Sequence, residues 1–304
     1  HGILPDTEYN VAYEMENPDA IMVRSAGMHD MAIQENLLCV GRAGAGVNNI
    51  PLEKMAEHGV VVFNSPGANA NAVKELVLAG LLLASRKIAD GIQWCKGLTP
   101  GEQTVEKQVE AGKKQFAGPE LAGKTLGVIG LGAIGLQVAN AGVALGMDVL
   151  GYDPYISVDN AWRLSRSVRH ALSLDEVIEK SDYITLHVPL TDGNRGMIDA
   201  GAISRMKNTA ALLNFARGPL VNVDDVKEAL EQGQLRVYVT DFPEAALIGV
   251  RNVVLTPHLG ASTPESEDNC VRMVAKQIND YIKYGSIVNS VNYPNCALEK
   301  PTMP

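Results

Sequence analysis

Gly130-Leu131-Gly132-Ala133-Ile134-Gly135 has the spacing of a turn that holds a pyrophosphate. Alone, G-x-G-x-x-G is a weak signal in a chain with 29 glycines. Here it lies between Thr125 to Ile129, an apolar run that reads as a buried parallel strand, and an Ala-rich run from Leu136 that reads as a helix. In that setting the first glycine permits the tight turn and the second lets backbone approach the phosphates. The third lets the helix lie close on the strand. The amides of Ala133 and Ile134 open the helix, where its dipole favours negative charge. A second strand, Met147 to Tyr152, ends in Asp153. That is about twenty residues on, where an acid that binds ribose hydroxyls is expected. A carboxylate there repels a 2′-phosphate, and Pro154, Tyr155 and Ile156 bring no arginine to receive one. The dinucleotide this pattern fits is NAD rather than NADP.

Ligands of open parallel sheets bind beyond the carboxyl ends of the strands, so polar residues at those ends are the candidates for the reaction itself. They are Asp153, His187, Asn214 with Arg217, Asp241 and His258, and, nearer the N-terminus, Arg24-Ser25 and Arg42-Ala43-Gly44-Ala45-Gly46. An imidazole exchanges a proton near neutral pH, and a guanidinium offers a planar fork of donors to a carboxylate or phosphate. The glycine-rich stretch after Arg42 can bring backbone amides to an anion. Each residue also has a plainer reading. His258 after Pro257 can be a structural residue at a strand end, and Arg217 before Gly218-Pro219 can bond a helix terminus. Arg24 divides evenly between a structural ion pair and an anion anchor. His187, in His187-Val188-Pro189, is expected to line the nucleotide site without acid–base work.

Strands alternating with helices position these residues. In the first 90 residues, Tyr9 to Tyr13, Ala20 to Arg24, Leu37 to Gly41 and Val60 to Asn64 read as strands. Pro51 opens a helix that stops at Gly59, and Asn69 to Lys87 reads as a buried helix. Residues 91–118, rich in Gly, Gln and Lys, read as a connection with an exposed arm. From Lys124 the alternation is regular. Strands are expected at 168–171, 182–189, 209–216, 235–240 and 252–256, and helices at 224–232 and from Pro264 to Tyr284, the last stopped by Gly285. Ser286 to Tyr293 can add a final segment, and 294–304 reads as a loose tail. The order predicts an α/β fold, a parallel sheet covered on both faces.

A net charge of −9 and a pI near 5.2 argue against nucleic acid or an anionic membrane as partner, though a local arginine cluster can still receive a small anion. Four scattered cysteines with no C-x-x-C pair favour a reducing cytoplasmic setting over a disulfide scaffold or a zinc site, and no metal is expected. No run is long and apolar enough for a membrane helix.

Over nearly its whole length the chain resembles the D-2-hydroxyacid dehydrogenases. The likeness rests on Val23-Arg24-Ser25-Ala26, Gly41-Arg42-Ala43-Gly44-Ala45-Gly46-Val47, the glycine turn, Gly151-Tyr152-Asp153-Pro154 and His187-Val188-Pro189-Leu190. Two longer and more specific motifs complete it, Asn214-Phe215-Ala216-Arg217-Gly218 and Pro257-His258-Leu259-Gly260-Ala261-Ser262-Thr263. The first two tilt the resemblance towards the members that oxidise 3-phosphoglycerate to 3-phosphohydroxypyruvate in serine biosynthesis. It implies a Rossmann-type doubly wound domain over 93–271, inserted in a smaller flavodoxin-like α/β substrate domain formed by 1–92 and 272–304. It further implies that His258 takes the C2 proton and that Arg217 holds the substrate carboxylate. Arg24, Ser25, Arg42, Ala43 and Gly44 would meet the substrate from the other domain, with domain closure excluding water. Gly130, Gly132, Ala133, Ile134, Gly135, Asp153, His187, Pro189, Ala216, Arg217, Asp241, His258 and Gly260 would line the NAD site, Asp241 at the nicotinamide carboxamide.

One stretch departs from the family. The glutamate that orients the catalytic histidine falls in Thr240-Asp241-Phe242-Pro243-Glu244-Ala245-Ala246, which is shorter than the family spacing, and Glu244 is the candidate for that role. The resemblance also implies a homodimer in which residues 91–118 embrace the partner. A C-terminal serine-binding domain is not contained in the 304 residues, so feedback through one is not expected of this chain. Two rival functions stand beside this reading. One is a dehydrogenase of an unphosphorylated acid, such as a glyoxylate or hydroxypyruvate reductase, and the other is a non-catalytic NAD-sensing protein on the same fold.

Overall fold

The computed structural model describes residues 3–101 and 103–296. In chain order the first elements are β1 (Ala20–Val23), β2 (Cys39–Arg42), α1 (Leu52–Glu57), β3 (Val61–Phe63), α2 (Ala70–Ser85), α3 (Ile88–Lys96) and α4 (Val105–Gly112). There follow β4 (Thr125–Ile129), α5 (Ala133–Ala144), β5 (Asp148–Tyr152), α6 (Val158–Arg163), β6 (Arg169–His170), α7 (Leu174–Lys180) and β7 (Tyr183–Leu186). The chain continues with α8 (Ala200–Ser204), β8 (Ala211–Asn214), α9 (Val223–Glu231), β9 (Val237–Thr240), β10 (Val253–Leu255) and α10 (Pro264–Tyr284). Contacts divide it into two units, Val73–Gly260 and the paired segments 1–72 and 261–304.

The larger unit is built on a seven-stranded sheet, β10-β9-β8-β7-β4-β5-β6, in which every neighbouring pair is parallel. Its central strands are apolar on both faces because helices cover both. Ile129, Ile184 and Leu186 point into one layer, and Leu126, Val128 and Tyr183 into the other. Side-chain caps start the helices where the sequence supplies them. Ser173 accepts from the amide of Glu176 ahead of α7, and Asn222 accepts from Asp224 and Asp225 ahead of α9. The chain enters the sheet at β4, runs outward through β5 to β6, then crosses back to β7. Strand order therefore reverses between β4 and β7, where a doubly wound sheet opens its ligand crevice.

The smaller unit has a three-stranded parallel sheet, β1-β2-β3. Val40 and Val62 face Met55, Val60 and Leu37 on one side. Cys39, Val61 and Phe63 face Val274 and Ile278 of α10 on the other. Burial among those side chains pushes the Cys39 thiol up to about 12, which leaves it unreactive. Thr263 caps the start of α10, and Gly285, at φ +67°, ends it.

Four expectations change. Tyr9 to Tyr13 is not a strand. Its alternation finds no neighbouring strand, Val11 is 66% exposed, and the segment is held by the Tyr9 hydroxyl donating to Asn279 Oδ1 at 2.9 Å. Residues 91–118 are more ordered than a connection: α3, α4 and a 3-10 turn at Lys113–Phe116 run through them, with Trp94 packed on Phe116. The strand at 168–171 shrinks to a two-residue edge strand, β6. Within 286–293 the sheet gains one bridge, Ser290 to Phe63. Of the tail expected at 294–304, residues 297–304 lie outside the described residues. No described helix is long and apolar enough to cross a membrane.

Candidate active site

The glycine turn leaves β4 and starts α5 at the strand-order reversal. Gly130 has φ +91°, and a Cβ there would stand 2.7 Å from the backbone of His187, the residue that follows β7. At Gly135 a Cβ would stand 1.9 Å from the Gly130 carbonyl, so α5 approaches β4 as closely as backbone allows. Gly132 is different. A Cβ there meets nothing within 4 Å, so the chain itself does not demand a glycine, while a phosphate resting on that backbone would. Asp153 closes the turn from β5: one oxygen accepts from the amide of Leu131 at 2.8 Å, the other from Tyr155 at 2.9 Å. Open backbone at Gly132 with a carboxylate bonded to the same turn suits a dinucleotide. Asp153→Ala is accordingly expected to raise KM for NAD by roughly tenfold and to narrow the preference over NADP, read from initial rates with each cofactor.

His187 packs its Cβ against the site of Gly135 and shares a hydrogen bond between Nε2 and Thr185 Oγ1 at 2.9 Å. Its Nδ1 is buried with no partner among the described residues. Burial pushes the imidazole down to about 3, so it stays neutral at ordinary pH. The unfolded chain protonates this group near 6.5 and the folded protein does not. Its contribution to stability is therefore whole above about pH 6.5 and is lost as pH falls towards 3. A melting series over that range should show the decline, and His187→Asn should make it shallower, the remainder coming from carboxylates such as Asp182.

At the end of β8, Asn214 is buried and shapes the loop beyond. Its amide donates to the Arg217 carbonyl at 2.9 Å and its oxygen accepts from Ala216 N–H at 3.2 Å. Arg217 is exposed, with Nη1 donating to the Ala216 carbonyl at 2.6 Å. Phe242, just beyond β9, touches two parts of the site. Its Cβ would lie 3.4 Å from a Cβ on Gly218, and its ring meets the His258 imidazole edge-on, with centroids 5.0 Å apart. Phe242 thus lies beside both Gly218, the residue after Arg217, and His258, at the carboxyl ends of the strands, where the glycine turn also sits. Glu244 is not bonded to His258. No hydrogen bond or ion pair joins them among the described residues, and Glu244 Oε1 instead lies beside Gly218. Asp241, expected at the carboxamide, has most of its acceptor positions taken by the loop of His258 and Gly260.

In the smaller unit Arg24 forms an ion pair with Glu267 at 2.7 Å, both side chains about half exposed. This is the structural one of its two readings, and an exposed pair of this kind contributes only about 0–1 kcal/mol. Ser25 is exposed beside it. The Arg42 guanidinium folds over the loop that follows: a Cβ on Gly44, at φ +150°, would fall 1.5 Å from Nη1. The amides of Ala43 and Gly44 are committed to the carbonyls of Val23 and Arg42. An anion here would therefore meet the cation rather than those two amides. Sequence reasoning missed Thr185, Phe242 and Thr256; the first and last are hydroxyls two residues before a site histidine, a signal that was available.

Residues 88–260 match the family model described as D-isomer specific 2-hydroxyacid dehydrogenase, NAD binding domain. Along 97% of its length the chain is 37% identical to D-3-phosphoglycerate dehydrogenase of Methanocaldococcus jannaschii, covering 55% of that protein. It is 33% identical to the Bacillus subtilis protein of the same name, over 92% of the chain and 53% of the relative. The chain thus spans about half the length of the curated relatives it matches. Among solved structures, NAD-bound 3-phosphoglycerate dehydrogenase of Entamoeba histolytica is similar at a TM-score of 0.68 and 27% identity, over 90% of this chain and 82% of that one. D-lactate dehydrogenase of Aquifex aeolicus, complexed with NAD and lactic acid, is similar at 0.68 and 26%, over 91% and 87%.

Proposed function

Because the chain belongs to the D-isomer specific 2-hydroxyacid dehydrogenase family, we propose that it oxidises 3-phosphoglycerate at C2 to 3-phosphohydroxypyruvate with NAD, as a step of serine biosynthesis. The observation that carries this reading is Phe242 lying beside both His258 and Gly218, the residue after Arg217, at the strand ends that bear the glycine turn. The choice of a phosphorylated substrate draws on the names of the relatives and on the cation over the Gly44 loop.

In this reading Arg217 holds the substrate carboxylate with its fork of donors. His258 takes the proton of the C2 hydroxyl while hydride leaves C2. Bound NAD supplies the hydride acceptor. Arg42, with Arg24 and Ser25, receives the phosphate beside the Ala43-Gly44 turn, whose amides are already bonded. Gly132, Ala133 and Ile134 carry the pyrophosphate, Asp153 the ribose hydroxyls, and His187, Pro189, Ala216 and Gly260 line the rest. A second copy of the chain is the partner this reading expects at residues 91–118, where α3 and α4 bury no side chain and Ile92 is 54% exposed. Sedimentation as a monomer at micromolar concentration would count against the dimer.

The test is NADH absorbance with 3-phosphoglycerate and NAD, then in reverse with phosphohydroxypyruvate, glyoxylate and pyruvate. The phosphorylated pair should turn over fastest, and Arg42→Gln should raise its KM by roughly tenfold to a hundredfold, the loss of a charge-assisted bond. Preference for an unphosphorylated acid would make the protein a different dehydrogenase of the family. Bound NAD without turnover of any acid would make it a sensing protein.

A further inference from the structure

The turn that carries His258 is pinned by one buried side chain. Asp241, 1% exposed, accepts three hydrogen bonds: Oδ1 from the Thr256 hydroxyl at 2.6 Å and from Leu259 N–H at 2.8 Å, and Oδ2 from Gly260 N–H at 2.8 Å. The Asp241 carbonyl also accepts from the His258 amide, at 3.1 Å, as does the Thr256 carbonyl at 3.0 Å. Three successive amides, 258 to 260, therefore converge on one residue. They hold His258 at φ +57°, a left-handed conformation that costs a non-glycine residue about 1–2 kcal/mol. The conformation persists because the surrounding bonds over-determine it.

That backbone sets the direction in which the imidazole leaves the turn, and the Phe242 ring supplies the wall it rests against, at an interplanar angle of 63°. Phe242 and Asp241 are adjacent in sequence, so the clamp and the wall move together. The Phe242 amide donates in turn to Thr240 Oγ1 at 3.2 Å, which fixes the start of this segment to β9. Glu244, three residues beyond Asp241, makes no hydrogen bond or ion pair to the ring among the described residues.

We propose that the Asp241–Thr256 clamp, with Phe242 as its wall, positions the His258 imidazole in place of a carboxylate partner, which makes Thr256 and Phe242 positioning residues. The inference rests on His258 as the acid–base group. The hydroxyl of Thr256 is its most exposed dependency. Without that donor Asp241 Oδ1 keeps a single bond, and the left-handed turn loses a support.

The experiment follows the imidazole resonances of His258 in histidine-labelled protein, assigned by their loss in His258→Asn, together with steady-state rates. Thr256→Val is expected to shift those resonances and to lower kcat by about tenfold or more, with KM for NAD held within about twofold. Thr256→Ser, which restores the hydroxyl, should recover both. Glu244→Gln should leave the His258 resonances in place. The proposal is overturned if Glu244→Gln moves them and Thr256→Val does not, or if serine fails to rescue. Should Thr256→Val not fold, Phe242→Leu takes its place, and unmoved resonances there overturn the proposal equally. A wild-type protein that turns over no 2-hydroxy acid would sink the proposed function, while the resonances would still decide the clamp.

Discussion

His258→Asn is expected to lower kcat by about 10² to 10⁴-fold while KM for NAD stays within about twofold. Asparagine is chosen because it tolerates a left-handed backbone better than most residues, so the turn at φ +57° survives. What is lost is a group that accepts a proton from the C2 hydroxyl. The ring is exposed and, among the described residues, its aromatic contact is with Phe242, so the melting temperature should hardly change. Stopped-flow or steady-state NADH absorbance reads the effect. A variant that retains most of its kcat would mean that another group takes the proton, and the role given to His258 would fall.

The second large effect is expected at the glycine turn. Gly135→Ala puts a methyl 1.9 Å from the Gly130 carbonyl and 3.2 Å from His187 Cβ. Neither neighbour is the end of a flexible side chain, so α5 must move off β4. Overpacking of this sort costs about 1–3 kcal/mol, and the displaced amides should lose NAD by at least about tenfold. Gly132→Ala is the control that separates the two causes. Its methyl meets nothing within 4 Å among the described residues, so the melt should be unchanged while NAD affinity still falls. Calorimetric titration with NAD and a thermal melt of both variants decide it. Full NAD affinity in Gly132→Ala would remove the phosphate from that stretch of backbone.

What could be read from the sequence was what is local. The glycine turn and Asp153 are fixed spacings around two neighbouring strands, and the alternation from Lys124 onward placed nearly every strand of the larger sheet. Tyr9 to Tyr13 misled because an alternating run becomes a strand only when another strand lies beside it. The helices within 91–118 were hidden by glycines and by the scarcity of apolar residues; Trp94 against Phe116 joins positions too far apart for a periodicity to reveal. The fit around His258 was invisible for the same reason. Asp241 and Thr256 end up bonded because β9 and β10 are neighbours, and nothing in either local sequence announces that. Glu244 is the candidate the family resemblance supplies, and in the shorter segment its carboxylate lies at Gly218. At Arg42 the loop was legible, but the commitment of its first two amides was not.

The smaller unit is discontinuous, and this governs when it can form. Its sheet is complete by Phe63, yet the face made by Cys39, Val61 and Phe63 is covered by Val274 and Ile278, two hundred residues later in the chain, roughly, at ordinary rates of synthesis some tens of seconds away. All seven strands of the larger unit leave the ribosome in that interval, so the unit begun first is finished last. During synthesis an apolar sheet face stands open next to unpaired edges, the kind of surface that recruits chaperones or aggregates.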